Sequence, residues 1–345
     1  MNKRNNKIKD ILEIQINNKT VILICTILII ILTMCFVIKL TGFDEKINLF
    51  YKVVSGQINI EKEIEDNDKL MGITNVSGQG VILNIDDGGD LMHQEDVIIL
   101  IDELKNAGSQ AISINGVRVV NSTYLFCDGG VILIDGKKIG NPFEIKAIGN
   151  KELIYGSLTR NNGYLSTLTN DKIEVNVEMS ENIQIPKSEK QEFEQYLNTK
   201  NKIQKLYLSN RIVGKSDNVG NGLEIVIFED KTKLSALTFI QLVNDLNSAG
   251  AKAISINGNR ITNMTDMMDI GKKYTVINSN LITAPYIIEV NGDTEEITKK
   301  INATNSYFSK VYGYGDNISI THKIIRVEKY EEKIDQNKML IDYLQ

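Results

Sequence analysis

Apolar residues are distributed unevenly along this chain, with one long run near the N-terminus and many short runs separated by polar turns. The long run covers the twenty residues from Val21 to Leu40, and its only charged residue is Lys39. Twenty helical residues rise about 30 Å, roughly the hydrocarbon thickness of a bilayer. The pattern predicts a transmembrane helix over residues 21–40, behind a basic leader over residues 1–20.

The charges on either side of this run predict its orientation. The leader carries a net charge of +3, whereas residues 44–69 are rich in acids. The positive-inside rule then places the N-terminus in the cytoplasm and everything after about residue 41 outside. A cleaved signal peptide is the alternative, but the run is longer than a usual signal core and no small-x-small cleavage site follows it. We therefore predict a single-pass anchor in the cell membrane with extracytoplasmic C-terminal domains.

The short apolar runs beyond the anchor occur in two copies. The segment AISING stands at Ala111 to Gly116 and again at Ala253 to Gly258, an offset of 142 positions. The fifteen-residue windows that contain it agree at ten positions, and the same offset pairs Gly80 with Gly222. Similarity over such a long period indicates duplicated domains and not a short-period solenoid.

Each copy predicts a similar set of elements. In the first, Asn-Gly and Asp-Gly turns between apolar runs are strong hairpin signals. Its predicted elements are strands at Val81 to Ile85, Ala111 to Ile114, Val117 to Val120, Val131 to Ile134, Lys137 to Ile139, Phe143 to Ile148 and Ile173 to Val177, with helices over Gln94 to Asn106 and from Asn150. In the second they are strands at Leu223 to Phe228, Ala253 to Ile256, Tyr274 to Asn278, Tyr286 to Val290 and Ile318 to His322, with helices over Ser235 to Ser248 and Thr294 to Ala303.

These elements predict the α+β class. We expect two helices to cover one face of a mainly antiparallel sheet in each copy, as in a split β-α-β fold of the ferredoxin-like type. The predicted order of segments is a stalk over 41–75, a first repeat domain over 76–186, a helical linker over 187–211, a second repeat domain over 212–325 and a C-terminal amphipathic helix over 326–345.

The linker and the C-terminal helix have apolar stripes. In the linker the predicted stripe is Phe193, Tyr196, Leu197, Ile203 and Leu206. In the C-terminal helix, Val327, Tyr330, Ile334, Asn337, Ile341 and Leu344 alternate at three- and four-residue spacing, which is typical of a coiled-coil seam. One hypothesis is a homo-oligomer through 326–345; the alternative is a helix that folds back on its own domain.

Composition limits the partners and the sources of stability. The net charge of -5 and a pI near 5.4 argue against nucleic acid. Cys25 and Cys35 lie in the predicted membrane segment, so Cys127 is the one cysteine outside and no intramolecular disulfide can form there. We predict that Cys127 is a small buried hydrophobe, with an intermolecular bridge as the alternative.

Several polar clusters are candidates for chemistry. Asn84, Asp86, Asp87 and Asp90 bring oxygens together in NIDDGGD, but the calcium-loop spacing and distal Glu are missing, which favours a solvated turn. His93 precedes Glu95 and Asp96, which is explained more simply as the capped start of a helix than as an acid/base pair.

Glycines and arginines recur in both copies. The pairs Gly78/Gly80 and Gly220/Gly222 precede apolar runs and are interpreted as turn glycines, because nucleotide-binding glycines follow a strand. Arg118 and Arg260 follow the Asn-Gly turns. They could bind an anionic polymer or a partner carboxylate, although a solvated strand residue is the simpler interpretation.

One stretch carries a family resemblance. MGITNVSGQGVILNIDD at Met71 to Asp87, the helix that follows, LKNAGSQAISINGVRVVNSTYLFCDGG and the Pro142-aromatic strand occur in that order. The chain resembles the domain of unknown function 881, the YlxW/YlxX-like group of Gram-positive envelope proteins often labelled division initiation proteins. Copy two departs from the pattern: Phe228-Glu229 replaces the paired acids and Asp269 stands at the Cys127 position. The resemblance implies an envelope role near division, sporulation or wall synthesis, and no established reaction.

Two classes of function are compared. The first is a non-enzymatic scaffold or binding module that binds envelope proteins, division proteins or a wall polymer, with no cofactor and no metal. The alternative is a wall-modifying hydrolase or transferase with a site around Asp86, His93 and Cys127. We favour the scaffold because these residues do not recur in both copies. The residues assigned to structure or partner binding are Gly80, Asn115, Gly116, Arg118, Gly222, Asn257, Gly258 and Arg260.

Overall fold

A computed structural model of the protein describes residues 18–89, 92–161, 163–228, 234–271, 274–312 and 318–330. The chain divides into two compact units, Met1–Asp44 and Glu45–Gln345. In the first unit, helix α1 (Asn18–Thr41) contains the apolar stretch Val21–Lys39. By length and composition, α1 is able to serve as a membrane span or as a signal sequence.

Two helices, α2 (Phe43–Val54) and α3 (Ile60–Met71), precede the first repeat. The first repeat contains β1 (Val76–Asp86), α4 (Gln94–Asn106), β2 (Ala111–Ile114), β3 (Val117–Arg118), β4 (Leu125–Asp128), β5 (Val131–Ile134), β6 (Lys137–Ile139), β7 (Phe143–Ile148), α5 (Lys151–Leu158), α6 (Tyr164–Asn170) and β8 (Glu174–Ile185).

A 3-10 turn (Gln191–Phe193), α7 (Glu194–Leu197) and α8 (Lys202–Val213) connect the repeats. The second repeat contains β9 (Asn218–Ile227), α9 (Ala236–Ser248), β10 (Ala253–Ile256), β11 (Asn259–Arg260), β12 (Met267–Ile270), β13 (Tyr274–Ile277), β14 (Asn280–Ile282), β15 (Tyr286–Asn291), α10 (Thr294–Ile301), α11 (Tyr307–Tyr312) and β16 (Ile318–Val327).

Both repeats have the same sheet topology. The large sheet of the first repeat has the strand order β3-β2-β7-β1-β8, and that of the second has β11-β10-β15-β9-β16. All neighbouring strands in these sheets are antiparallel. A separate three-stranded sheet, β4-β5-β6 or β12-β13-β14, belongs to each repeat. The α+β class with antiparallel sheets is confirmed, and the large sheets of the two repeats share one strand order.

The core of each repeat lies between one face of the large sheet and its helices. In the first repeat, alternate residues of β1, among them Leu83 and Ile85, pack with Leu100 of α4, Ile154 of α5 and Leu168 of α6. Three helices cover this face where we predicted two, because the helix predicted from Asn150 is divided into α5 and α6. The seven residues of α6 are too few to show a helical period in the sequence.

The predicted stalk is helical, but α3 is not a free spacer. Its Asn67 is fully buried and donates from Nδ2 to Ser209 Oγ of α8 over 2.9 Å. Ile60 and Ile64 of α3 pack against the cluster that Leu206 and Tyr207 of α8 form with Leu49. Although most residues of α3 are polar, Ile60 and Ile64 form a short apolar stripe that packs on α8, so α3 belongs to the folded unit.

The linker and the C-terminal segment also differ from prediction. Instead of one helix over 187–211, the chain forms short helical pieces, which bury Phe193 and Tyr196 but leave Leu197 58% exposed. The predicted helix over 326–345 is wrong at its start because Val327 is the last residue of β16, paired with Asn218. Its residues 331–345, and with them most of the proposed oligomer seam, lie outside the described residues.

Candidate functional site

The repeated asparagines hold two loops together. Asn115 adopts a φ of 46°, and its side-chain amide donates to Gly140 O over 2.9 Å while its Oδ1 accepts from Glu144 N over 3.0 Å. Asn257 adopts the same φ and makes the corresponding bonds to Thr283 O and Ile287 N. These side chains therefore connect each hairpin to the proline loop before β7 or β15, which is a structural role.

The repeated glycines serve the backbone. A Cβ at Gly80 would lie 1.9 Å from Ala147 O, and one at Gly222 would lie 2.1 Å from Val290 O. Both residues lie inside strands, so the interpretation of these glycine pairs as turn residues is wrong; the close approach of the neighbouring strand requires them. Gly116 and Gly258 have φ values of 78° and 77°, as the hairpin turns predict.

The two arginines are buried and bind backbone carbonyls. Arg118 is 4% exposed and donates from Nη2 to Lys69 O at the end of α3 over 3.2 Å. Arg260 is 1% exposed and donates to Arg211 O at the end of α8 over 2.9 Å, and to Val327 O over 3.2 Å. Burial lowers the pKa of each guanidinium to about 10. The prediction of solvated strand residues is wrong, because each arginine caps a helix C-terminus.

The acidic loop after β1 uses its carboxylates internally. Asp87 is 4% exposed and accepts hydrogen bonds from Gly89 N over 2.9 Å and Met92 N over 3.1 Å. Asp86 accepts from Asn141 Nδ2 and Gly88 N, which lowers the pKa of its carboxyl. Asp90 lies outside the described residues. Among the described residues, no group of three or more His, Cys, Asp or Glu side chains is arranged to hold a metal ion.

His93 precedes α4 as its N-cap residue and is exposed. Its backbone N–H donates to Asp96 Oδ2 over 2.5 Å, and Tyr164 donates its hydroxyl to the other oxygen of Asp96. Glu95 accepts a hydrogen bond from the hydroxyl of Tyr307 in the second repeat. The acids next to His93 are therefore engaged in capping α4 and in contacts between elements.

Cys127 is exposed on β4, so the prediction that it is buried is wrong. It lies on the small β4-β5-β6 sheet, where alternate residues Leu125, Ile132 and Ile134 face the core. Asp269 takes the equivalent position in the second repeat, where its carboxylate accepts from Ala236 N at the start of α9 and from Thr275 Oγ1 over 2.7 Å. The two positions lie on equivalent strands, β4 and β12, and carry different side-chain chemistry.

The two repeats bind each other through reciprocal contacts that the sequence pattern does not predict. Asn121 Nδ2 donates to Ile212 O of α8 over 3.4 Å, and Asn263 Nδ2 donates to Leu70 O of α3 over 3.2 Å. The two donors and the two acceptors are each separated by the repeat offset of 142 positions. Such an exchange of equivalent groups is the property of a two-fold interface, here within one chain.

The helices α4 and α9 meet the opposite repeat in the same way. Asn244 of α9 accepts from Leu125 N over 2.7 Å and donates to Leu125 O over 2.9 Å. On the other side, Asn106 Nδ2 donates to Met267 O over 3.3 Å, and the amide of Met267 binds the carboxylate of Asp102. Asp102 is the residue equivalent to Asn244, so an acid stands in one half of the interface and an amide in the other.

A cavity of about 70 Å³ lies at this interface, with Asp102, Lys105, Asn244 and Asn247 among its lining residues. The volume has room for a few water molecules. Burial raises the pKa of Asp102 to about 7, and the charge of Lys105 partly offsets that effect. Burial lowers the pKa of Lys105. The interface therefore contains a carboxyl that changes charge near neutral pH.

The family model for a bacterial protein of unknown function, DUF881, matches residues 63–198 and again residues 206–340. The chain belongs to this family. The two matched segments are the two repeats, each with the helix that precedes it, which agrees with the packing of α3 and α8 inside the folded unit.

Similar proteins include the UPF0749 protein YlxW of Bacillus subtilis, 27% identical over 144 residues, a match covering 39% of this chain and 62% of YlxW. The UPF0749 protein Rv1825 of Mycobacterium tuberculosis is 38% identical over 85 residues, covering 24% of this chain and 29% of Rv1825. The chain thus spans less than two thirds of the length of either relative. A crystal structure of an uncharacterized conserved protein from Mycobacterium tuberculosis is 26% identical and covers 37% of this chain and 92% of its own, with a TM-score of 0.35.

Proposed function

We propose that this protein is a non-enzymatic scaffold, anchored by α1 in the membrane of a Gram-positive-type cell envelope and projecting its two repeats outside the cytoplasm. Its partners would be division or sporulation proteins, wall-synthesis proteins or a wall polymer. The basic leader and the acidic segment after residue 41 support this orientation. Self-association through the part of 326–345 that follows β16 stays part of the proposal.

One observation carries the proposal: the polar side chains shared by both repeats hold the fold and the interface together. Arg118 and Arg260 cap helices, Asn115 and Asn257 clamp loops, and Asn121 with its counterpart in the second repeat joins the two halves. A duplicated domain whose repeated polar groups are engaged in this way supports a role in presenting a surface.

We also infer that each repeat is a split β-α-β fold of the ferredoxin-like type. The order β2-β7-β1-β8, with α4 after β1 and α5 after β7, supports this assignment. The small sheet β4-β5-β6 is then an insertion between the second and third strands of the basic unit.

Two experiments test the proposal. A reporter that works only outside the cytoplasm should be active when fused after Gln345 and inactive when fused before Met1; the reverse result would overturn the orientation. The full chain in vesicles should leave purified peptidoglycan intact. Cleavage that disappears in His93→Ala or Cys127→Ser would replace the scaffold with an enzyme.

A further inference from the structure

Helix α2 has two apolar faces. One face packs inside the second unit, where Leu49 is buried together with Tyr207 of α8 and Lys46 lies 4.9 Å from the ring of Tyr207. The other face carries Ile47, Phe50, Tyr51 and Val54, which are 53%, 55%, 65% and 69% exposed. A helix that is packed on one side and apolar on the other needs a second apolar environment.

The spacing of the exposed residues makes a continuous stripe. Positions 47, 50, 51 and 54 recur at intervals of three and four residues, so they share one side of an α-helix. Two of the four are aromatic, and Tyr51 combines an apolar ring with a polar tip. Aromatic residues of this kind are enriched where a membrane meets water.

Chain continuity identifies the environment. The candidate membrane span ends at Lys39, and Ile47 follows it by only eight residues. Even a fully extended chain gains at most about 3.6 Å per residue, so Ile47 lies within about 30 Å of the end of the span. Gly42, with a φ of 65°, lies between α1 and α2.

We propose that the exposed face of α2, formed by Ile47, Phe50, Tyr51 and Val54, lies in the boundary between the headgroups and the acyl chains of the bilayer that α1 spans. Interfacial helices bury such a face roughly 5–10 Å into this boundary. Because the opposite face of α2 packs on α8, the contact would hold the paired repeats close to the membrane surface. The inference rests on the proposed membrane anchoring.

The protein contains no tryptophan, so a single introduced indole is an unambiguous probe. The full chain is reconstituted in phosphatidylcholine vesicles with bromine at shallow or deep acyl positions, in three variants. Phe50→Trp reports on the α2 face, Leu28→Trp reports on the span, and Phe126→Trp is a matched control at a phenylalanine of the first repeat that is 37% exposed.

We expect the Phe50→Trp emission to be blue-shifted and quenched more by shallow than by deep bromines. Leu28→Trp should be quenched more by deep bromines, and Phe126→Trp should be unaffected. Quenching of Leu28→Trp with unquenched, water-like emission from Phe50→Trp would overturn the inference while preserving the anchor. A Phe50→Trp emission that shifts only as the protein-to-lipid ratio rises would also overturn it, since a second copy would then cover the face. If Leu28→Trp is not quenched, the anchoring itself fails.

Discussion

Replacing Asp102 by asparagine should remove the pH dependence that this carboxyl gives to the stability of the folded protein. Asp102 binds the amide of Met267 and accepts from Asn106 Nδ2 over 3.0 Å, next to the cavity between the repeats. Its counterpart Asn244 shows that an amide fits this geometry, because it binds both the N–H and the carbonyl of Leu125. Asp102→Asn would place the same amide at this position in both halves of the interface.

The expected magnitude follows from the pKa of Asp102, which burial raises from 3.8 to about 7. The folded protein holds this proton more tightly than the unfolded chain, so the carboxyl's contribution is fully present below 3.8 and is lost as the pH rises through about 7. One unit of pKa difference corresponds to about 1.4 kcal/mol, so the rise from 3.8 to about 7 limits the effect of Asp102 on the free energy of unfolding to about 4 kcal/mol. We expect about 1 to 3 kcal/mol because Asp102 keeps partial contact with solvent.

The assay is urea unfolding of the full chain in detergent, followed by circular dichroism at about pH 5 and about pH 8. Asp102→Asn should be more stable than the parent at the higher pH, and its advantage should shrink as the pH falls. The reverse variant Asn244→Asp should lose stability as the pH rises. A difference between Asp102→Asn and the parent that is independent of pH, or that grows on acidification, would refute the reasoning.

Other substitutions test the structural roles of the repeated residues. Arg260→Met should lower the free energy of unfolding by about 2 to 4 kcal/mol because it leaves buried carbonyls without a donor, with a smaller loss for Arg118→Met; equal stability to the parent in urea would contradict the capping role. Gly80→Ala or Gly222→Ala should lower the free energy of unfolding by about 3 kcal/mol or more, since the new Cβ meets a carbonyl oxygen. Gly156→Ala in α5, where a Cβ meets no neighbouring atom, should raise it by up to about 1 kcal/mol. Equal proteolysis rates for the three variants would contradict this account. Calcium should leave the melting temperature unchanged, because Asp86 and Asp87 already accept hydrogen bonds within their loop. Calcium bound at a hundred times Kd would add about 2.7 kcal/mol to the free energy of unfolding. A rise in melting temperature that Asp87→Asn removes would therefore establish a metal site.

Local signals in the sequence predicted the elements well. The helix α4 and strands β2, β6 and β7 have the bounds predicted from periodicity and turn residues. Asn150 accepts from Leu153 N over 2.9 Å as the cap of α5, and Ser235 caps α9 in the same way. Caps and primed turns depend on a few neighbouring residues, which is why sequence alone identifies them.

The errors concern contacts between distant segments. The sequence around Gly80 predicts a turn. The carbonyl that excludes a side chain at Gly80 belongs to Ala147, which is far away in sequence, so local pattern does not show it. Arg118 follows a turn and appeared solvated, but the end of α3 covers it. Cys127 lies on a small sheet whose burial depends on how it packs. The surroundings of these three residues depend on tertiary structure, which the periodicity of apolar residues along the sequence does not reveal.

The interface between the repeats has one signal in the sequence. Asn121 and Asn263 recur at the repeat offset, outside the AISING motif. Sequence similarity shows that they are equivalent, but it cannot show that each binds the other repeat. Identical motifs in two copies are compatible both with independent domains and with a two-fold pair.

Labelling of Cys127 in intact cells tests most directly the claim that the repeats lie outside the cytoplasm. Cys127 is exposed on β4, and the other two cysteines, Cys25 and Cys35, lie within α1. A membrane-impermeant maleimide should label the parent in intact cells and should fail to label Cys127→Ser. Labelling of Cys127 that appears only after the cells are lysed would contradict the extracytoplasmic scaffold.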